Sequence, residues 1–357
     1  MKVVNTIPES PFVDSAIASN WSISTTWFIV NGKPKRTEAG HVICTATDAF
    51  NKASALHETI MDCDIWVIHR FYPQFSELLL KAVHHGIKVY IQTWGPDYLP
   101  FESRPNLYLP RTSAALHQIN DYQKNLVRDT YRRFYWFLKN KVHRKAYSSA
   151  TGVMFVTPVE QLKFASKYTH MGKLRFVYNT EDKHPLDDPN NKRIMIGHCA
   201  WETMNHLDAI HDASSVKSTL EHCTIPLTYG GSPSYNNLVQ EASHMIPAPV
   251  SIPVDFMPRK DFETLVSSQS IFVHYALRQQ AVVNVMNFIY QLGQIVAHPN
   301  GIIHEFLKEF KIPHHTRLEK ALNSPIPISN REDAKLRFLA FTNSRNRLTE
   351  DFILNNT

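Results

Sequence analysis

Short apolar runs alternate with longer amphipathic stretches throughout the sequence. Runs rich in β-branched and aromatic residues predict strands in the first half, at Met1–Asn5, Trp27–Val30, Val42–Thr45, Ile65–His69, Ile87–Gln92, Val153–Thr157 and Leu174–Tyr178. Helical patterns lie between some of these runs, as at Lys52–Met61 and Phe75–His84. Strands separated by helices of this length predict βαβ units and a parallel sheet.

The alternation restarts after a polar segment, Asn179–Lys192, whose composition is that of an interdomain linker. Strands are predicted at Arg193–Gly197, Thr224–Tyr229, Ile271–Tyr275 and Gln294–His298, and helices at Met204–Ala213, from Ser234 and at Val282–Leu292. A charged amphipathic helix is predicted at Arg331–Asn355. The pattern therefore predicts two α/β domains, 1–182 and 192–330, with a C-terminal helix within 331–357 that packs back on the first domain.

Composition narrows the class of protein. A hydrophobic share of 43% and a charged share of 20% are typical of a globular protein, and 357 residues suit two domains. No apolar run approaches the roughly 18 residues that span a bilayer, and the N-terminus predicts a strand rather than a signal peptide. We therefore expect a cytoplasmic protein, either free or bound peripherally to the inner face of the membrane. The scattered cysteines predict reduced core thiols, at Cys44, Cys63, Cys199 and Cys223.

Several classes of site are excluded by missing motifs. The sequence has no G-x-G-x-x-G, Walker A, G-x-S-x-G or H-E-x-x-H motif, and only 11 glycines. Asp62-Cys63-Asp64 matches a D-x-D metal motif, but it lies between a predicted helix and a predicted strand, where turn aspartates are common. We expect no metal and no cofactor. The net charge of +6 indicates an anionic partner.

Two candidate residues follow strands of the first domain. Asp97 lies in a turn directly after the strand Ile87–Gln92, where open α/β sheets place their ligands. A carboxylate there can take the proton of an acceptor hydroxyl. His69 ends a neighbouring strand and would lie on the same rim. In the alternative interpretation, Asp97 is a turn residue without a catalytic role and His69 is a structural histidine.

A basic and aromatic segment occupies 122–147 and includes Arg132 and Arg133. One interpretation is a core-packed helix with a solvated basic face. The other is a surface that binds anionic lipid or follows a phosphate backbone. The residues leave both interpretations open.

Three polar loops follow strands of the second domain. Gly197 and His198 precede a helix predicted to begin near Thr203, whose free N–H groups can hold a diphosphate. Tyr229-Gly230-Gly231 forms the second loop, and Arg278-Gln279-Gln280 the third. Arginine binds phosphate oxygens bidentately, and glutamine can hydrogen-bond phosphate or sugar hydroxyls. Together the loops predict a ligand site at one edge of the sheet.

The chain resembles the family 56 glycosyltransferases, which transfer an acetamido-dideoxygalactose from a TDP donor to a polyprenyl-linked disaccharide in enterobacterial common antigen synthesis. The similarity runs from about Ile65 to Phe310 through short motifs in matching order: His69 with Pro73, Gly86-Ile87-Lys88, Trp94-Gly95-x-Asp97, Phe155-x-Thr157, the Gly197 to His206 loop, and Arg278-Gln279-Gln280. The chain departs from the family pattern at Ala281-Val282-Val283, where the family has glycines, and at Trp201-Glu202.

The resemblance implies an α/β fold of GT-B architecture, with two Rossmann-like domains facing across a cleft. It implies a metal-independent glycosyltransferase that moves a sugar from a nucleoside-diphosphate sugar to an acceptor hydroxyl, first of all that of a polyprenyl-diphosphate-linked saccharide or other surface-glycan precursor. The resemblance also implies acceptor binding in the first domain and donor binding in the second. The predicted catalytic residues are Asp97 and His69. The predicted donor-binding residues are Gly197, His198, Thr203, His206, Tyr229, Gly230, Gly231, Arg278, Gln279, Gln280 and Asn284. The predicted acceptor-binding residues are Arg70, Trp94, Tyr98, Arg132 and Arg133.

Three alternatives stay open at this point. The acceptor can instead be a hydroxylated base in DNA, as for some phage enzymes of this fold, which the basic aromatic segment would suit. The chain can be a nucleic-acid-binding protein without catalysis. It can also be a GT-B scaffold that has lost its activity.

Overall fold

The computed structural model describes residues 1–8, 25–30, 42–44, 54–93, 107–119, 141–155 and 185–355. The chain divides into two compact units. The first comprises Met1–Ser103, Arg132–Asn179 and Ala340–Thr357, and the second comprises Arg104–Tyr131 and Thr180–Leu339.

The first unit contains a six-stranded sheet in which every pair of neighbours is parallel. Its strands are β1 Val3–Pro8, β2 Thr25–Val30, β3 Val42–Cys44, β4 Ile65–His69, β5 Lys88–Gln92 and β6 Gly152–Met154. Their order across the sheet is β3-β2-β1-β4-β5-β6, which is the order of a dinucleotide-binding Rossmann fold. The predicted strands in the described part of the first half are therefore confirmed, while Leu174–Tyr178 lies outside it.

Two helices with apolar faces cover this sheet, α1 Ala55–Met61 and α2 Ser76–His84. The Ser54 side chain caps α1 by accepting a hydrogen bond from the His57 N–H at 3.1 Å. Helix α2 buries Leu78, Leu79 and Ala82, which share one face at helical spacing. A further helical segment, 141–149, belongs to the same core. Strand β4 is buried along its whole length, as expected for a central parallel strand.

The second unit contains a five-stranded parallel sheet. Its strands are β7 Arg193–Ile196, β8 His222–Thr224, β9 Val250–Ser251, β10 Ile271–His274 and β11 Gln294–Ala297, in the order β11-β10-β7-β8-β9. Its helices are α3 Pro110–Gln118, α4 His206–Ser214, α5 Pro233–Ser243, α6 Arg259–Ser267, α7 Val282–Tyr290, α8 Ile302–Glu309 and α9 Leu318–Asn323. The predicted parallel α/β pattern is confirmed here too.

One predicted strand is misplaced. The sequence predicted a strand over Thr224–Tyr229, but β8 ends at Thr224. The chain beyond it stays extended beside the neighbouring segment, because the Ile225 N–H bonds to the Ser251 carbonyl at 2.9 Å and the Leu227 N–H to the Pro253 carbonyl at 2.8 Å. Proline at position 226 has no N–H to donate, which interrupts the regular ladder.

Helix α3 comes from the first half of the sequence and belongs to the second unit. The Asp208 carboxylate caps its start by accepting hydrogen bonds from the N–H groups of Arg111 at 3.0 Å and Thr112 at 2.9 Å. The sequence pattern predicted two contiguous domains. It gave no signal that α3 belongs to the second unit, because the residue that caps α3 lies 96 residues further along the chain.

The predicted C-terminal helix is present as α10, Ile328–Asn355. It begins in the second unit, and its residues from Ala340 onward are counted with the first. In the part of the chain that the structure describes, neither α10 nor any other helix is long and apolar enough to span a membrane.

Candidate functional site

The strand order of the second sheet reverses between β7 and β10, which are neighbours although β8 and β9 lie between them in sequence. Ligands of open α/β sheets bind at the carboxyl ends of the strands at such a switch point. The Gly197 loop leaves β7 there, and the Arg278 loop leaves β10. The switch point therefore lies between two of the three loops that the sequence predicted to form a site.

Gly197 allows the first loop to fold back on the start of α4. Its φ of +67° lies in the left-handed region, and an added Cβ would lie 2.7 Å from Nε2 of His206. His206 is fully buried, and its Nδ1 is 3.2 Å from the Tyr235 hydroxyl. Helix α4 begins at His206 rather than near Thr203, because a turn of 3-10 helix, Glu202–Met204, comes first.

Three buried histidines lie around the switch point and are uncharged at neutral pH. Burial lowers the pKa of His198 to about 3, with smaller contributions from its histidine neighbours and from Arg278. Burial also lowers the pKa values of His206 and His274 to about 4. They can therefore contribute hydrogen bonds but no positive charge, and Arg278 is the cation of this loop pair.

Arg278 is connected to the Gly197 loop by a chain of side-chain hydrogen bonds. Its Nε donates to Thr203 Oγ1 at 3.3 Å, and the Thr203 hydroxyl donates to Gln280 Oε1 at 2.9 Å. The Gln280 amide in turn donates to the buried Cys199 thiol at 3.6 Å. Sequence reasoning placed Arg278, Thr203 and Gln280 at one site but missed Cys199.

The second polar loop packs on the first. A Cβ on Gly230 would lie 2.7 Å from the Trp201 ring, and one on Gly231 would lie 2.2 Å from the Ala200 carbonyl oxygen. The Ala200 N–H also bonds to the Tyr229 carbonyl at 2.8 Å. These glycines therefore permit a close contact between two loops, whereas the sequence predicted that they admit a ligand. Donor binding by Tyr229, Gly230 and Gly231 stays a prediction.

Helix α7 begins directly after the Arg278 loop. Its N-cap residue is Ala281 in the left-handed conformation, with a φ of +57°, and no side chain caps this end within the described residues. The left-handed region favours glycine, and the alanine keeps that conformation at a cost of about 1 kcal/mol. The start of α7 can hold an anion beside Arg278. Asn284 lies in the first turn of α7, and Gln279 lies in the loop before this helix. Each of the two side chains is 8% exposed.

Asn205 is a site residue that sequence reasoning missed. Its fully buried amide donates to the carbonyls of Tyr275 at 3.0 Å and Leu107 at 3.2 Å, and its Oδ1 accepts from the Leu109 N–H at 2.8 Å. Its φ of +56° is one that asparagine tolerates better than most residues. The sequence placed Asn205 inside the predicted helix Met204–Ala213, whereas the observed helix α4 begins one residue after it.

The corresponding edge of the first sheet holds His69 and Arg70. His69 is only 1% exposed, so it lies beneath the predicted rim, with Nε2 3.1 Å from Asn5 Oδ1 and its ring 5.1 Å from that of Trp27. Burial lowers its pKa to about 3, which keeps it neutral. Arg70 has a φ of +63°, and its guanidinium carbon lies 5.1 Å above the Tyr72 ring. A strained arginine at this edge suits contact with an anionic ligand.

Other predicted site residues lie outside the described residues. These are Trp94, Asp97, Tyr98, Arg132 and Arg133. Their assignment as catalytic base or acceptor-binding residues stays a prediction.

The D-x-D motif lies at the opposite edge of the first sheet. Lys2 Nζ is 2.6 Å from an Asp62 oxygen, and the Lys2 N–H donates to Asp64 at 2.6 Å. These contacts lie at the amino end of β4. They agree with the interpretation of the D-x-D motif as a pair of turn aspartates. Within the described ranges, no group of three or more His, Cys, Asp or Glu residues could hold a metal ion. Metal independence stays a prediction.

Comparison with known proteins identifies the fold. No family model matches the chain, and no curated protein matches its sequence. Solved structures do match: HepE from Anabaena, in complex with UDP, has a TM-score of 0.63 and 10% identity over 99% of this chain and 100% of that one. The trehalose-6-phosphate synthase OtsA has a TM-score of 0.61 and 10% identity over 100% and 99% of the two chains.

A glycosyltransferase from Rickettsia africae matches with a TM-score of 0.60 and 12% identity, over 100% of this chain and 99% of that one. At these identities the likeness shows the fold alone. That fold is the GT-B fold of glycosyltransferases, as the resemblance to family 56 implied.

Proposed function

We propose that the protein is a glycosyltransferase that takes a sugar from a nucleoside-diphosphate donor bound at the carboxyl edge of β7 and β10. The observation that carries this proposal is the placement of Arg278 in the loop between β10 and the start of α7, where the strand order of the second sheet reverses. A guanidinium beside a helix N-terminus provides the charge and the N–H groups that a diphosphate requires. The GT-B fold supports this donor class, and HepE, which shares the fold, is in complex with UDP.

The chemistry proposed for this site is electrostatic stabilisation of the leaving diphosphate. Negative charge develops on that group as the glycosidic bond breaks, and preorganised donors in a partly buried site stabilise it. Arg278 supplies positive charge, and the start of α7 supplies backbone N–H groups. The neutral His198 side chain, 8% exposed, can donate or accept one hydrogen bond there. In this proposal these groups take the role that a metal ion has in D-x-D enzymes.

For the acceptor, we propose a polyprenyl-diphosphate-linked saccharide, with Asp97 as the base that takes the proton of its hydroxyl. The resemblance to family 56 supports this class, and the net charge of +6 and Arg70 suit an anionic acceptor. One structure that shares the fold, a trehalose-phosphate synthase from Burkholderia xenovorans, is in complex with glucose-6-phosphate, which is a phosphorylated sugar.

A hydroxylated base in duplex DNA is the second candidate acceptor. The basic aromatic segment 122–147 favours it, since eight Lys and Arg positions there stand among aromatic residues (Lys124, Arg128, Arg132, Arg133, Lys139, Lys141, Arg144, Lys145). A nucleic-acid-binding protein without catalysis would use the same segment but would leave the second unit's site without a purpose.

A transfer assay tests the proposal. The purified chain is incubated with labelled UDP-, TDP- and GDP-sugars, together with a polyprenyl-diphosphate-linked disaccharide or hydroxymethylated duplex DNA. Label that appears in the lipid-linked product supports the proposed acceptor, and label in DNA supports the second candidate. Duplex binding without transfer or donor hydrolysis would overturn the enzymatic proposal.

A further inference from the structure

Thr203 occupies a position between Arg278 and Gln280 that only a hydroxyl-bearing side chain can fill. The Arg278 Nε–H can only donate, so the Thr203 oxygen accepts at 3.3 Å. The hydroxyl has one hydrogen, which it donates to Gln280 Oε1 at 2.9 Å. Threonine and serine alone combine both roles on so short a side chain, whereas valine has the same shape and can do neither.

The donor and acceptor directions agree along the whole chain of hydrogen bonds. Since Gln280 Oε1 accepts from Thr203, its amide nitrogen is the group that faces Cys199, and it donates to the Cys199 thiol at 3.6 Å. Gln280 is 9% exposed and Cys199 is fully buried. Both the oxygen and the nitrogen of the Gln280 amide therefore make a hydrogen bond inside the protein. Donor binding by Gln280 stays a prediction.

We propose that Thr203 and Gln280 are positioning residues for Arg278, and that Arg278 alone among these three contacts the diphosphate. This inference rests on the proposed function. Arginine loses considerable rotamer freedom when it is fixed on a ligand. A guanidinium whose Nε is already held by Thr203 has lost part of that freedom before binding, so the hydrogen bond strengthens binding without touching the ligand.

The chain of hydrogen bonds also links the two loops of the switch point. Thr203 and Cys199 belong to the loop after β7, while Arg278 and Gln280 belong to the loop after β10. Loss of the Thr203 hydroxyl would leave Gln280 Oε1 without its donor and Arg278 Nε without this acceptor. Without the hydrogen bond to Thr203, the orientation of Arg278 depends on its other contacts.

A double-mutant cycle tests this role. Binding of UDP and TDP is measured by calorimetry for the wild-type chain, Thr203→Val, Arg278→Ala and the double variant. Thr203→Val should raise Kd about fivefold in the wild-type background. In the Arg278→Ala background the same change should alter Kd less than about twofold, because its effect passes through the missing guanidinium.

Two further variants separate positioning from general stability. Thr203→Ser keeps both hydrogen bonds and should bind within about twofold of the wild type. Thr224→Val removes a buried hydroxyl that has no hydrogen-bond partner in the described residues, and it should leave Kd unchanged.

The outcomes distinguish this inference from the proposed function. If the wild type binds tightly and Thr203→Val raises Kd by the same factor in both backgrounds, the positioning role is overturned. The proposed donor site is unaffected by that result. Unchanged binding by Thr203→Val overturns the positioning role in the same way. A wild-type chain that binds neither nucleotide overturns both proposals.

Discussion

A Cβ on Gly231 would lie 2.2 Å from the carbonyl oxygen of Ala200, in a loop whose backbone at this residue has a φ of +66°. Gly86 has a similar φ of +83°, but an added Cβ there meets no atom within 4 Å. Substitutions at Gly86 and Gly231 therefore separate the cost of a left-handed backbone from the cost of a close contact.

Gly86→Ala should lower the free energy of unfolding by about 1–2 kcal/mol, which is the cost of the left-handed conformation. Gly231→Ala should lower it by at least about 3 kcal/mol, because the new methyl group also displaces the Ala200 carbonyl. Denaturant unfolding of both variants measures the difference. Equal losses of unfolding free energy in the two variants would contradict the close contact between Gly231 and the Ala200 carbonyl.

Stability should fall in mild acid because of the buried histidines. Burial lowers the pKa of His198 to about 3 and those of His206 and His274 to about 4, whereas unfolded histidine titrates near 6.5. Below about pH 6.5 the unfolded chain therefore binds protons that the folded chain does not bind. The stabilisation is complete above that pH and decreases toward pH 4, by up to about 1.4 kcal/mol per pH unit for each such histidine.

Denaturant unfolding at pH 7.5, 6.5 and 5.5 measures this slope. His206→Gln should reduce it by about one proton, since glutamine does not titrate. A free energy of unfolding that is constant between pH 7.5 and 5.5 would contradict the neutral, buried state of these side chains.

Asp97→Asn should remove catalysis without weakening donor binding. If Asp97 takes the proton of the acceptor hydroxyl, an amide in its place should lower kcat about 100-fold or more. The Kd for the nucleoside diphosphate should change less than about twofold, because Arg278 and the start of α7 are untouched. Near-normal turnover by Asp97→Asn would dismiss this residue as the base and turn attention to other groups of the first unit.

Much of the fold follows from local patterns in the sequence. Parallel strands such as Ile65–His69 and Ile271–His274 are continuous apolar runs between helical stretches, which is why both sheets could be predicted. The switch point could be predicted only as a set of strand ends, since strand order does not appear in a single sequence. The boundary at Thr224 was missed because the residues after it are apolar and extended without forming a regular ladder.

The contacts inside the site depend on distant parts of the chain and had no local signal. Asn205 bonds to Leu107, 98 residues away, and Gln280 to Cys199, 81 residues away. Residue type predicted that Thr203, Arg278 and Gln280 take part in the site. It did not predict that Gln280 uses its amide inside the protein, or that His69 and His198 are buried in neutral form.

In the proposed function the second unit binds a nucleoside diphosphate through Arg278, and calorimetric titration of UDP and TDP tests this binding most directly. Arg278→Ala should raise Kd about tenfold or more, the effect expected for loss of charge-assisted hydrogen bonds. Arg259→Ala, which removes an exposed arginine paired with Glu263 on α6, should leave Kd unchanged. Equal affinity in Arg278→Ala and the wild type, or a wild type that binds no nucleoside diphosphate, would contradict the proposal.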